Sequence, residues 1–167
     1  MAGKTTAAEE TLWAALRDVV DPEIPVVNVV DMGMVHRVEA TRDGHVTVEI
    51  LPTFTGCPAL DLIGRHVRER LEQEPGVSHV DVRFVFDPVW STDRITPEGR
   101  ARLKGFGIAP APISRGRPLA VLQAQPVACP FCGSTRTAID NLFGPTPCRS
   151  LYHCLDCRNP FERFKAL

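Results

Sequence analysis

The sequence predicts an α+β protein in two parts, on three observations. Val46, Val48 and Ile50 alternate with Thr47 and Glu49, the period of a half-buried strand. Leu60, Ile63, Val67 and Leu71 recur at steps of three and four, which is one face of a helix. Cys129-Pro130-Phe131-Cys132 and Cys154-Leu155-Asp156-Cys157 are two C-x2-C pairs with 21 residues between them. Together these give a small two-layer helix-strand-strand-helix-strand domain followed by a C-terminal zinc ribbon. The expected divisions are residues 1–107 for the α/β domain, 108–126 for a Pro-rich linker and 127–167 for the ribbon.

The first helix is expected from about Ala7 to Val20, with Leu12, Leu16, Val19 and Val20 on its apolar face. It should end at Asp21-Pro22, because the residue before a proline leaves the helical region. Asp31-Met32-Gly33 reads as a turn in which Gly33 takes positive φ. Strands are expected over 34–41 and 45–51, with Asp43-Gly44 as a two-residue hairpin turn. A helix should follow to about Glu74, stopped by Pro75-Gly76. In the third strand Val80, Val82, Phe84 and Phe86 should share a face. Whether that strand lies beside the first or the second is not legible. Thr96-Pro97-Glu98 reads as a short helix start with Thr96 as N-cap. Pro110, Pro112, Pro118 and Pro126 mark a semi-rigid linker.

The stretch between the second strand and its helix, residues 51–60, contains Thr55-Gly56-Cys57-Pro58. Gly56 permits a tight turn, and Pro58 suits the first helical position. Cys57 is therefore expected at or next to the N-cap, where unpaired N–H groups and the helix dipole lower a thiol pKa. Such a thiol is a nucleophile or a metal ligand. The competing reading is a small cysteine packed under the turn.

The two C-x2-C turns each aim two thiolates at one point, and together make a tetrahedral cage of Cys129, Cys132, Cys154 and Cys157. A segment this short needs the folding energy of a bound metal. Zinc is the expected ion, with iron in the same cage and a redox dithiol as alternatives. Strands are expected over 135–143, 150–153 and 160–165. Cys148 stands outside both pairs and reads as a packing thiol. His153, beside Cys154, is a substitute ligand by position and a strand residue by default.

The formal charge is -1, but it is unevenly spread. Residues 1–93 carry -8, residues 94–117 carry +5 and residues 118–167 carry +2. The acidic first part argues against nucleic-acid binding there. No apolar run approaches a membrane span, and the N-terminus has no apolar core of a signal peptide. The protein is therefore expected in the cytoplasm, where six cysteines point to metal or thiol chemistry rather than to disulfides.

Three motifs, Asp21-Pro22-Glu23-Ile24-Pro25, Asp31-Met32-Gly33 and Thr55-Gly56-Cys57-Pro58, resemble the metal-sulfur cluster assembly factor family. Asp87-Pro88-Val89-Trp90-Ser91-Thr92-Asp93-Arg94-Ile95, the stretch 107–110 and the ribbon narrow the resemblance to the branch that accompanies phenylacetyl-CoA (ring 1,2-) epoxidases. The resemblance implies an accessory factor that matures or maintains an iron or iron–sulfur centre of that multicomponent enzyme in aerobic phenylacetate degradation. It maps the cluster- or iron-binding thiol onto Cys57, with Asp21, Glu23, Asp31 and Thr55 nearby. Met32 stands where the family has leucine. The implied cofactors are zinc and a transient iron or iron–sulfur cluster. The implied partners are the oxygenase and reductase subunits of the epoxidase.

One thiol cannot hold a cluster alone, so a homodimer or a partner would complete the ligand shell. Two other functions compete: a structural or docking subunit with Cys57 inert, and a nucleic-acid binder using the ribbon aromatics. No acid–base constellation accompanies the thiol, so the expectation is a non-catalytic subunit rather than an enzyme.

Overall fold

The computed structural model describes residues 7–113 and 125–165, with the side chains of Ala7 and Ala8 excluded. These residues divide into two compact units. Of the described residues, the first unit holds those up to Pro52 and Gly56–Trp90; the second holds Thr53–Thr55 and those from Ser91 onward.

In the first unit the order is α1 (Ala7–Leu16), β1 (Val35–Ala40), β2 (His45–Ile50), α2 (Leu60–Leu71) and β3 (His79–Phe84). The sheet order is β1-β2-β3. β2 is antiparallel to β1 and parallel to β3, with Val48 opposite Val38 on one side and Val82 on the other. The third strand thus lies beside the second, and α2 is the crossover between two parallel neighbours. The alternation in β2 has the expected outcome: Val46, Val48 and Ile50 are fully buried while Thr47 and Glu49 are not. Leu12 and Leu16 of α1 and Ile63, Val67 and Leu71 of α2 are buried as well, and both helices pack on the sheet and on each other. Each such side chain contributes about 1.5–3 kcal/mol on burial.

Three local expectations differ. The first helix stops at Leu16 rather than Val20, because Arg17, Asp18 and Val19 donate to the carbonyls three residues back and tighten the chain. Val20 then bridges Asn28. The hairpin connection is four residues, Thr41–Gly44, closed by the Thr41 N–H on the His45 carbonyl at 2.9 Å. Gly44 has φ +83°, and a Cβ there would meet the Gly76 carbonyl at 2.3 Å. β3 ends at Phe84, leaving Phe86 exposed. Gly64, buried on α2, leaves room for the Phe84 ring, which a Cβ would approach to 3.3 Å.

The second unit holds a one-turn 3-10 helix (Thr92–Arg94), α3 (Pro97–Gly105), β4 (Ile108–Ala109), β5 (Thr137–Asn141), β6 (Arg149–Cys154) and β7 (Pro160–Phe164). As expected, the Thr96 side chain caps α3 by accepting from the Gly99 N–H at 3.0 Å, with Pro97 at the helix start. The sheet order is β4-β7-β6-β5.

The boundary expected at residue 107 is corrected. α3 belongs with the C-terminal unit, and Ile108–Ala109, expected as linker, is a strand parallel to β7. Two buried residues, Ile108 and Ala109, supply the reason: Ala109 joins Val127, Cys129, Cys154 and Phe161 in the core of that unit. The rest of the linker expectation, residues 114–124, lies outside the described residues.

Candidate metal centre and the Cys57 turn

Two turns build the metal centre. The chain reverses after Cys129, and the Gly133 N–H donates to the Cys129 carbonyl at 2.9 Å. It reverses again after Cys154, and the Arg158 N–H donates to the Cys154 carbonyl at 3.0 Å. Gly133 and Arg158 both have positive φ. The turns bring Cys129 Sγ within 3.6 Å of Cys157 Sγ, and Cys132 Sγ within 3.6 Å of Cys154 Sγ. All four sulfurs lie within 4.8 Å of one another. A tetrahedron with metal–sulfur bonds of about 2.3 Å has sulfurs about 3.8 Å apart, so the cage has the size of one ion. Among the described residues this is the one group of three or more His, Cys, Asp or Glu donors that converges in this way.

Cys129 and Cys154 are fully buried, Cys157 is half-buried and Cys132 is exposed. The Asn159 backbone N–H holds the Cys157 thiol down to about 6 against desolvation, with help from the Asn159 side chain, Cys132 and Cys154. At Cys132 the Ser134 backbone N–H pulls down, but desolvation and the three neighbouring thiols push the pKa up to about 12. Four thiols sharing a small volume lose one proton readily and the later ones reluctantly; a cation relieves that repulsion. Ser134 and Asn159 escaped the sequence reading, although each lies two residues beyond a C-x2-C pair. Ser134 also donates to Asp156, which Arg136 pairs at 2.8 Å, tying one turn to the other.

Cys148 is buried outside the cage, with Thr146 Oγ1 at 3.1 Å. His153 is on β6, its Nδ1 2.6 Å from Asp140 Oδ1, and it takes no part in the cage.

The expected position of Cys57 is corrected. The helix begins at Leu60 with Ala59 as N-cap, so Cys57 lies two residues upstream of the cap. The Leu60 N–H reaches the Cys57 carbonyl at 3.4 Å, and the first full helical bond runs from Ile63 to Ala59 at 2.9 Å. Cys57-Pro58-Ala59 is therefore a separate turn ahead of the helix. The dipole effect falls off within the first turn, so it no longer argues for an activated thiol. Cys57 is half-buried between exposed Gly56 and Pro58, and Thr55 is exposed.

Two of the acidic motif residues, Asp21 and Asp31, accept hydrogen bonds within the loops that carry them. Asp21 Oδ1 accepts from the Glu23 and Ile24 N–H groups at 2.8 and 2.9 Å, closing the turn over the prolines. Asp31, almost completely buried, accepts from Arg17 Nη1 at 3.2 Å and Asn28 Nδ2 at 2.9 Å. Its N–H donates to Asn28 Oδ1 at 2.7 Å. Trp90 Nε1 donates to the Met32 carbonyl at 3.0 Å, and the Met32 side chain is buried. Glu23 is half-buried. Asp21, Glu23, Asp31 and Cys57 do not converge into a donor group of the kind the ribbon forms.

A small α/β domain joined to a four-cysteine ribbon defines a class of protein, and comparison with known sequences agrees. Residues 9–82 match the family described as iron-sulfur cluster assembly protein. Residues 116–165 match the PaaD zinc beta ribbon domain. A solved structure from Bacillus anthracis, of a domain of unknown function named DUF59, is 32% identical with a TM-score of 0.55, covering 58% of this chain and 92% of that one. An Fe-S protein maturation auxiliary factor of Porphyromonas gingivalis is 42% identical over 98 residues, 59% of this chain and 91% of its own. An Escherichia coli (strain K12) protein, named as one of the subunits of a "Putative 1,2-phenylacetyl-CoA epoxidase", is 38% identical over 156 residues, 93% of this chain and 92% of its own. The chain belongs to the family of that epoxidase subunit, and its own residues 9–82 and 116–165 carry the assembly and ribbon matches.

Proposed function

We propose that this chain is a non-catalytic accessory factor that matures or maintains an iron or iron–sulfur centre of a multicomponent phenylacetyl-CoA epoxidase. The carrying observation is the union, in one chain, of an assembly-family α/β unit with a ribbon that its epoxidase-associated relative shares nearly end to end. Iron or a cluster is the cargo here, held through Cys57 on the turn between β2 and α2. A single thiolate leaves at least three positions of a four-thiolate shell to other ligands, which a second copy or the client would supply. Handing over the cargo then exchanges one set of ligands for another. Work in the cytoplasm keeps such a thiol reduced.

The ribbon metal is zinc in this reading. A closed tetrathiolate suits an ion without redox chemistry, and its role is to fold the C-terminal unit. The partners are the epoxidase components that contain iron or receive clusters. The decisive experiment matures the epoxidase beside the wild type or Cys57→Ser and measures its iron. Under-loading with Cys57→Ser supports cargo handling. Full loading removes the role of Cys57.

One observation favours a second reading, a docking subunit without metal transfer. The motif acids Asp21 and Asp31 are buried and engaged in hydrogen bonds that hold loops. If those motifs serve architecture alone, the epoxidase would need the chain for assembly but tolerate Cys57→Ser.

A further inference from the structure

Burial divides the four cage sulfurs by their place in the turns. The first cysteine of each pair, Cys129 and Cys154, is fully buried in the core of the second unit. The second cysteine of each pair lies outward: Cys132 is exposed and Cys157 half-buried. Phe131 and Gly133, on either side of Cys132, are exposed as well. A small oxidant therefore reaches the cage from the Cys132 side.

Hydrogen bonds widen the difference. Cys157 Sγ accepts from the Asn159 backbone N–H and from Asn159 Nδ2 at 3.5 Å. Cys132 Sγ accepts from the Ser134 backbone N–H, and its side-chain partners are the three other cage thiols. Donors that stabilise a thiolate lower its nucleophilicity, so Cys132 holds the more reactive sulfur as well as the more accessible one. Geometry then fixes what an oxidised Cys132 meets. Cys154 Sγ lies 3.6 Å from Cys132 Sγ, and Cys157 Sγ lies 3.6 Å from Cys129 Sγ. Both contacts run between the two turns, not within one C-x2-C pair.

We propose that Cys132 is a peroxide-sensitive modification site on the cage, and that its oxidation ends in a Cys132–Cys154 disulfide with loss of the ion. The inference rests on the zinc reading of the ribbon, since zinc itself has no redox chemistry. The Cys132 thiolate attacks one oxygen of hydrogen peroxide; an S–O bond forms, the O–O bond breaks and hydroxide leaves. Cys132 is then a sulfenic acid, oxidised by two electrons. The Cys154 thiolate attacks that sulfur; the S–S bond forms, the S–O bond breaks and a second hydroxide leaves. Two thiolates and one peroxide have become one disulfide and two hydroxides. Only Cys129 and Cys157 remain as donors, and half a shell no longer holds the ion. The disulfide joins the same two turns that the ion had joined, so reduction by a dithiol and fresh zinc restore the cage.

The test adds hydrogen peroxide to the full-length protein reconstituted with one zinc per chain, while a chromophoric chelator follows zinc release. Dimedone traps sulfenic acid at early times, and mass spectrometry of digests made without reductant locates both the adduct and the disulfide. The early adduct should favour Cys132 over Cys157 about tenfold, and the disulfide should join Cys132 to Cys154 in step with zinc release. Cys132→His keeps a three-cysteine, one-histidine zinc site and should slow release about tenfold, whereas Cys157→His should stay within about twofold of wild type. Where a variant fails to hold zinc, the adduct and disulfide maps of the wild type decide. A first adduct on Cys157, a disulfide within one C-x2-C pair, or zinc retained at peroxide levels that oxidise Cys57 overturns the proposal. Elemental analysis of the protein as purified tests the zinc reading by itself. Iron found there replaces that reading, and the reconstituted zinc protein still shows whether Cys132 is oxidised first.

Discussion

Gly133 and Arg158 occupy equivalent places in the two cysteine turns. Each follows the second cysteine of its pair, at φ 77° and 60°. Each donates its N–H to the carbonyl of the first cysteine, at 2.9 and 3.0 Å. The first turn uses the residue that takes this conformation freely. The second uses arginine, for which left-handed φ costs about 1–2 kcal/mol.

Arg158→Gly should therefore stabilise the C-terminal unit. The relief is partly offset by the greater freedom of unfolded glycine, leaving a net gain of about 0.5–1 kcal/mol. Gly133→Ala should destabilise by about 1 kcal/mol, although no atom lies within 4 Å of the added Cβ. Thermal unfolding of the metal-loaded protein measures both. A loss of stability in Arg158→Gly would mean that the arginine side chain contributes more than its backbone costs.

Metal removal should act on one unit. A strong chelator, or Cys132→Ser with Cys157→Ser, should release one ion per chain and unfold β5 to β7 while leaving the sheet of β1 to β3 intact. Elemental analysis and hydrogen exchange by region read the two effects. Full metal content in the double variant would refute the cage.

Asp31→Ala should destabilise the first unit by about 2 kcal/mol, because Asn28 loses a buried acceptor and Arg17 its partner. Asp31→Asn should cost less. Urea unfolding gives the magnitudes. Iron loading of the client by folded Asp31→Asn should equal wild type, and a selective loss of loading at unchanged stability would make Asp31 a ligand.

Cys57 should react with a small alkylating reagent at least tenfold faster than Cys148. The first is half-buried on a turn; the second is 7% exposed and in contact with Thr146. Mass spectrometry of labelled peptides gives the rates. Cys57→Ser should unfold at the wild-type midpoint within about 0.5 kcal/mol, as is usual for an isosteric change near the surface.

Gly64→Leu should cost about 1–3 kcal/mol, because the side chain must displace the Phe84 ring that already lies 3.3 Å from a Cβ. Gly64→Ala should stay near neutral, since better helix propensity offsets a small shift of that ring. Denaturant midpoints test the contrast.

What the sequence determined by itself was local or periodic. The alternation of Val46, Val48 and Ile50, the 3–4 spacing of α2, the Thr96-Pro97 cap and the paired cysteines each declare themselves within a few residues. That is because side-chain period, capping and chelate turns are short-range physics. Tertiary structure decided the rest. It set β3 beside β2 and drew Ile108–Ala109 into the ribbon sheet, a two-residue strand too short for periodicity to reveal. It also started α2 at Leu60, where Ala59 is buried, moving Cys57 off the cap that Pro58 had suggested. Finally, it turned Asp21 and Asp31 inward, onto backbone amides and onto Asn28 and Arg17. Whether a carboxylate serves as an open ligand or a buried acceptor depends on which distant groups reach it, and only packing settles that.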